Sequence, residues 1–159
     1  MAKAVSRSRV YHGASAPTAQ KRVPPDCTTV ILRRVRWIRI AGVVGALAVI
    51  AGAFGAHWLA SRLDERLLEA YRAGVQYHLV HSVVLLALGL WSHATGRSVS
   101  TAATLILAGV VLFCGSLYVL CLSGVRALGM ITPLGGLLMI AGWIEIARGM
   151  GSGPSTRRE

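Results

Sequence analysis

Three histidines lie in or beside long apolar segments of this sequence. His57 ends the stretch "GAFGAH", and His78 and His81 lie three residues apart in "QYHLVHS", next to Tyr77. A neutral imidazole donates one hydrogen bond and accepts another, can take up a proton near neutral pH, and is a common zinc ligand. These residues therefore indicate one of two roles: handling of a proton, metal ion or small solute, or hydrogen bonds that hold helices together.

The composition places these histidines in a membrane. Hydrophobic residues make up 54% of the 159 residues and charged residues only 14%, with a mean hydropathy of +0.59. The apolar residues are grouped in runs long enough to cross about 30 Å of hydrocarbon as helices. We expect an all-α, integral membrane four-helix bundle, with spans at Ile40–Leu59, Val75–Trp91, Ser98–Val125 and Leu128–Ala147.

The segment between spans one and two, "SRLDERLLEAYRAG", alternates charged and apolar residues. Ser61 is placed to cap a helix whose third residue is Asp64, and Leu63, Leu67 and Tyr71 fall on one side. This pattern predicts a short interfacial helix on the outer leaflet.

The chain reverses within this segment and returns "QYHLVH" to the depth of His57. We therefore predict a polar cluster at the external membrane boundary, in which His57 lies close enough to His81 or Tyr77 to share a hydrogen bond directly or through water. The cluster consists of His57, Tyr77, His78 and His81. A bound metal would need a further ligand, and no nearby acid has matching spacing, although Asp64 or Glu65 could approach from the interfacial helix. Neither a metal site nor a cofactor is predicted.

Small residues at helical spacing predict where helices approach closely. Gly45, Gly52 and Gly55 share one face of span one, and such a stripe is typical of interhelical packing. In the fourth span, Thr132 followed by Pro133 predicts an N-cap and the first helical residue.

Charged residues predict the orientation. Nine lysines and arginines precede the first span, one lies between spans two and three, and three follow span four, whereas only four lie on the opposite side. This asymmetry predicts cytoplasmic amino and carboxyl termini in a bacterial inner membrane. Near that cytoplasmic side, Arg39, Glu145 and Arg148 lie at one level and predict a charge pair.

The formal charge of +11 is concentrated before the first span. We interpret the basic residues as contacts to anionic lipid headgroups rather than to nucleic acid, because "RRVRWIR" directly abuts the membrane segment. The predicted organisation is a disordered basic extension over 1–32, a four-span domain over 33–148 and a disordered tail over 149–159.

No sequence feature predicts an enzyme. The chain has no nucleophile with a base at usable spacing, no HExxH or CxxC motif and no cofactor motif. The sequence favours a structural or accessory protein that forms a homo-oligomer or joins a larger membrane complex. The alternative is handling of a small solute, proton or metal ion through the histidine cluster.

Four stretches together resemble one family of small four-span membrane proteins. "GAFGAH", "YRAGVQYHLVHSVVLLALGL", "FCGSLYVLCLSG" and "LGMITPLGGLLMIAGW" occur in the order and spacing of the domain-of-unknown-function 423 family, which includes eukaryotic transmembrane protein 256. The resemblance implies a polytopic membrane protein without an established reaction. It also implies motif residues at Gly52, Phe54, Gly55, His57, Tyr77, His81, Gly115, Ser116, Tyr118, Thr132, Pro133, Gly135 and Gly136.

This chain departs from the family pattern in its long basic extension, and in His78 and Val80, where the family favours glutamine or an aromatic residue. A metal role that requires His78 would therefore not extend to the whole family.

Overall fold

The computed structural model describes residues 27–151, and these residues form helices joined by short connections. The long helices are α1 (Cys27–Phe54), α2 (Glu65–Thr95), α3 (Ser100–Ser123) and α4 (Thr132–Gly151). Each contains a segment long and apolar enough to cross a membrane. The prediction of four membrane spans in an all-α bundle is therefore confirmed.

The predicted terminal segments lie mostly outside the described residues. Residues 1–26 of the basic extension and 152–159 of the tail are not among them. Residues 27–32, which we assigned to the extension, are the first turns of α1, and residues 149–151 are the last residues of α4.

Consecutive helices pack side by side: α1 on α2, α2 on α3, and α3 on α4. Leu85 of α2 and Ile106 of α3 are fully buried at the centre of the main core. The outward faces are apolar as well, and Leu47, Ile50 and Leu137 are all more than half exposed. A surface of this kind is suited to lipid, which solvates apolar side chains as well as a protein interior does.

The end of α1 widens before the chain turns. Gly55–Leu59 form a π-helical turn that continues directly from α1. Such turns insert an extra residue into a helix and rotate the side chains that follow. The chain then reverses, with the backbone N–H groups of Arg62 and Leu63 both donating to the Leu59 carbonyl.

Asp64, rather than Ser61, caps α2. The Asp64 carboxylate accepts a hydrogen bond from the Leu67 backbone N–H at 2.9 Å. The Ser61 hydroxyl instead donates back to the Trp58 carbonyl. The predicted cap was therefore wrong by three residues, because either residue type can serve as an N-cap.

The predicted interfacial helix is the first part of α2 and is not a separate element. Helix α2 is continuous from Glu65 to Thr95. Its first turns pack against protein, with Leu68 and Tyr71 buried beside Leu59 and Cys121 in a second core cluster. The apolar side of this amphipathic segment thus contacts protein, where we predicted contact with lipid.

Glycines end both α2 and α3. Gly96 and Gly124 adopt left-handed φ angles of 73° and 72°, which glycine reaches without steric cost. Their N–H groups bond to the carbonyls of Ser92 and Leu120. A short 3-10 turn, Arg126–Met130, then leads into α4.

Candidate functional site

The face of α2 that carries His78 and His81 points into the bundle, as its spacing predicted. Both imidazoles are buried, with 9% and 5% of their surface exposed. The same face buries smaller and apolar residues along the helix: Gly74, Ser82, Leu85, Gly89 and Ser92.

The depth of these two histidines differs from our prediction. Ser82 lies against Gly45, near the middle of the apolar segment Val35–Leu59, which comprises most of α1 and the π-helical turn. Because α2 begins at Glu65 and rises about 1.5 Å per residue, His81 lies roughly 24 Å from its start. The pair is therefore near the centre of the spans and not at the external boundary.

His78 connects α2 to α3. Its Nδ1 lies 3.2 Å from the Tyr118 hydroxyl of α3. In an apolar interior, each polar atom that finds a partner avoids a large desolvation cost, so this contact holds the two helices in register.

His81 uses both ring nitrogens. Its Nδ1 lies 2.8 Å from the Tyr77 carbonyl oxygen, which can only accept, so Nδ1 carries the proton. Its Nε2 is then an acceptor, and the Trp143 indole N–H of α4 donates to it at 3.4 Å. The neutral imidazole thus has no lone pair left for a metal ion.

Tyr77 contributes its ring and its backbone to this region. The ring stacks on His81 with a centroid distance of 5.9 Å and lies 4.8 Å from the ring of Phe113. Its backbone carbonyl orients His81 by accepting the Nδ1 proton. This bond within α2 was not predicted from the sequence, which paired Tyr77 with His57 instead.

His57 is separate from the other histidines. Its side chain is exposed, and within residues 27–151 it makes no side-chain hydrogen bond. Gly55, two residues earlier, lies against Tyr71, which is ten residues or roughly 15 Å along α2 from His81. The predicted hydrogen bond from His57 to His81 or Tyr77 is therefore wrong, since the continuous α2 carries the later histidines deeper into the bundle.

A hydroxyl pair joins α3 to α4. Ser116 Oγ and Thr132 Oγ1 lie 2.8 Å apart, and Ser116 also donates to the Phe113 carbonyl. The first N–H bonds of α4 come from Leu134 and Gly135 to the Ile131 carbonyl. The Thr132 hydroxyl thus contacts α3 and does not cap its own helix, and Pro133 lies one residue further into α4 than we predicted.

The predicted glycine stripe, which consists of Gly45 and Gly52 in α1 and Gly55 in the π-helical turn, lies at the interface with α2. A Cβ atom on Gly45 would lie 3.5 Å from Ser82 Oγ, and one on Gly52 would lie 3.3 Å from Val75 Cγ1. On Gly55 it would lie only 2.5 Å from the Tyr71 ring. The small residues thus permit close approach of the two helices, which is the role that their spacing indicated.

Two of the three charged residues at the other end of the bundle form an ion pair. Arg148 Nη1 lies 3.1 Å from Glu145 Oε1 across one turn of α4. Within the described residues, Arg39 does not join this pair. Because the pair is largely exposed, its contribution to stability is small.

The pairing of Tyr118 with His78 and of Trp143 with His81 was not predicted from the sequence. Neither was the bond from the Tyr71 hydroxyl to the Ala51 carbonyl, at 2.9 Å. A usable signal was present, because each polar side chain within an apolar span requires a partner at its own depth. Matching polar residues by depth across the four spans would have left fewer possible partners for each side chain.

Four apolar helices joined by intramembrane hydrogen bonds define a polytopic integral membrane protein. A family model described as a protein of unknown function (DUF423) matches residues 51–136. The chain belongs to this family, as the four sequence stretches indicated.

Several relatives that share most of their length with this chain are described as UPF0382 membrane proteins. The one from Staphylococcus haemolyticus is 42% identical over 108 residues, which cover 65% of this chain and 88% of the relative. YwdK of Bacillus subtilis is 44% identical over 110 residues, covering 67% and 89%. One from Staphylococcus saprophyticus is 40% identical over 111 residues, covering 69% and 92%. No solved structure matches the chain.

Proposed function

We propose that this protein is a structural or accessory component of the bacterial plasma membrane, the inner membrane where two are present, with both termini in the cytoplasm. The orientation is supported by thirteen basic residues on the side of the termini against four on the other. The membrane domain serves as a rigid four-helix unit and carries out no reaction of its own.

The structural role is supported by one observation: the buried polar groups of the protein are hydrogen-bonded within the protein. Every buried side-chain nitrogen or oxygen atom among the described residues has a hydrogen-bond partner. The partners of His78, His81 and Ser116 include side chains on a neighbouring helix. Groups that handle a solute or a proton need a face open to it, whereas these imidazoles are occupied by protein.

Metal handling has little support in this arrangement. The part of the chain that the structure describes holds no group of three or more His, Cys, Asp or Glu side chains able to hold a metal ion. A zinc site normally needs at least three protein ligands. The separation of His57 from His81 removes one ligand from the cluster that the sequence suggested.

An accessory role requires contact with a second copy or a larger membrane complex, and α1 has a surface suited to that contact. Gly42 and Ala46 are exposed at four-residue spacing, and a Cβ atom on Gly42 would meet nothing within 4 Å. Small residues at this spacing allow another helix to approach closely. The proposed partners are therefore membrane helices, together with lipid and its anionic headgroups.

Substitution of His81 separates the structural role from solute or metal handling. Replacing His81 with Leu leaves the Trp143 N–H without its acceptor, and an interhelical hydrogen bond in a membrane contributes about 0.6–1.7 kcal/mol. We expect the melting temperature of the purified protein in detergent to fall by about 2–5 °C. His57→Leu is the matched control, because this exposed imidazole has no such bond, and it should melt like the wild type.

Zinc content, measured on the same samples by mass spectrometry, completes the test. We expect no stoichiometric zinc in the wild type after incubation with the metal. A His81→Leu protein that melts like the wild type would contradict the structural role. Zinc that binds to the wild type but not to the His81→Leu protein would also contradict the structural role.

A fusion at Glu159 tests the orientation. A reporter that is active only in the cytoplasm should give signal there, and one that is active only outside should not. The reverse pattern would contradict the proposed topology.

A further inference from the structure

A groove opens between the end of α1 and the first half of α2, on the side of the membrane opposite the termini. Its volume is about 460 Å³, within the range of small-molecule binding sites. One wall is formed by small residues of α1 and its π-helical turn, and the other by longer side chains of α2. The lining residues include Gly52, Gly55, Ala56, Arg72, Gln76 and Val80.

The wall of the groove on the α1 side has almost no side chains. Gly52 and Gly55 let Val75 and Tyr71 of α2 lie directly against the backbone there, and Ala56 adds only a methyl group to the wall. Tyr71 forms a fixed floor, because its hydroxyl donates to the Ala51 carbonyl and only 3% of its surface is exposed. Packed and hydrogen-bonded walls give the groove a defined shape.

The polarity of the groove changes along its length. Arg72 and Gln76 line it toward the membrane boundary, and Leu79 and Val80 line it toward the centre of the spans. From Arg72 to Val80 is eight residues, or about 12 Å of helix. A polar end at the boundary and an apolar end in the hydrocarbon is the order of groups in a membrane lipid.

The polar end carries a cation that has no protein partner among the described residues. Within residues 27–151, the Arg72 guanidinium makes no ion pair, and the Gln76 amide makes no side-chain hydrogen bond. By contrast, Arg62 lies 4.0 Å from the ring of Trp58, and Asp64 accepts the Leu67 N–H. An arginine near the hydrocarbon edge is costly unless an anion or a polar group meets it, and its planar guanidinium matches a phosphate with two hydrogen bonds.

We propose that this groove binds one anionic phospholipid. The phosphate contacts Arg72, the Gln76 amide contacts polar groups of the glycerol backbone, and one acyl chain lies over Gly52 and Ala56 toward Val80. Charge complementarity selects the headgroup, and the glycine-lined wall admits the chain. Lipid bound here would fill the space between α1 and α2 in the leaflet opposite the termini.

Native mass spectrometry of the full chain, released from a mild detergent, tests the proposal. Phosphatidylglycerol is titrated in parallel with phosphatidylcholine that carries the same acyl chains. We expect saturable binding of one phosphatidylglycerol and at least about tenfold weaker binding of phosphatidylcholine, because only the former has net negative charge.

Two pairs of variants separate the headgroup from the acyl chain. Arg72→Gln should weaken phosphatidylglycerol binding about tenfold, whereas Arg66→Gln, an exposed arginine on the same helix outside the groove, should leave it unchanged. Ala56→Leu should reduce binding by filling the groove while Arg72 stays in place. Ala53→Leu, on the exposed face of α1 outside the groove, is its control.

The results that would overturn the proposal are distinct. Equal binding of the two lipids would exclude headgroup selection, and equal effects of Arg72→Gln and Arg66→Gln would indicate general contact with surrounding lipid. If the wild type forms dimers that Ala56→Leu abolishes while lipid binding is unchanged, a second copy of the chain occupies the groove. If Arg72→Gln does not fold, unchanged binding in a folded Ala56→Leu protein still refutes the site.

Discussion

Two adjacent glycines at the start of α4 should respond very differently to the same added methyl group. The change is Gly135→Ala compared with Gly136→Ala. A Cβ atom on Gly135 would lie 2.8 Å from Phe113 Cα and closer still to its backbone nitrogen, whereas one on Gly136 would lie 3.9 Å from the edge of the Phe113 ring. The first is a collision with α3 backbone, and the second is an ordinary contact.

The magnitude follows from the distances. Carbon atoms are best separated by about 3.5–4.0 Å, so α3 and α4 must move apart by at least roughly 0.7 Å to admit a methyl group on Gly135. Overpacking of this kind costs about 1–3 kcal/mol. Alanine also favours helix over glycine by up to about 1 kcal/mol, but this gain is common to both variants. The difference between them therefore isolates the steric cost.

Thermal unfolding in one detergent, followed by circular dichroism, measures that difference. At about 3 °C per kcal/mol for a chain of this size, Gly135→Ala should melt roughly 3–9 °C below Gly136→Ala. Gly136→Ala should match or slightly exceed the wild type. Equal melting temperatures for the two variants would refute the close approach of α4 to Phe113.

Two further predictions concern α1 and the start of α2. Gly52→Leu should lower the melting temperature in detergent by several degrees, because even a Cβ atom at this position would lie 3.3 Å from Val75. Ala53→Leu, on the exposed face of α1, should change the melting temperature little. Equal melting temperatures for the two variants would contradict the packing of α1 on α2. Asp64→Ala should destabilise the protein by about 1 kcal/mol through loss of the N-cap bond, and Ser61→Ala by less than roughly 0.5 kcal/mol, both measured by thermal unfolding. A larger loss of stability in Ser61→Ala than in Asp64→Ala would indicate that Ser61 is the N-cap of α2.

Much of the fold could be predicted from the sequence because membrane insertion depends on local hydropathy. A run such as Ser98–Val125 specifies a transmembrane helix whatever its neighbours are, since its backbone must satisfy its own hydrogen bonds in lipid. The inward face of α2 followed from periodicity in the same way, because Gly74, His78 and His81 recur at helical spacing. Gly45 and Gly52 likewise marked a contact face without identifying the helix that fills it.

The candidate site was less predictable because its contacts join distant parts of the chain. His78 meets Tyr118 forty residues away, and His81 meets Trp143 sixty-two residues away. Such pairs depend on which helices are neighbours and how far each is shifted along its axis. Neither quantity is encoded in the hydropathy of a single span.

His57 shows most clearly which features the sequence determines and which depend on the tertiary structure. Its position after an apolar run placed it at the end of span one, and the structure agrees. Its predicted partners lie elsewhere because α2 begins at Glu65, ten residues before the apolar run at Val75, and packs Leu68 and Tyr71 against protein. Hydropathy determined that the residue lies near a membrane boundary, whereas the length and axial shift of the neighbouring helix determined which groups share its depth.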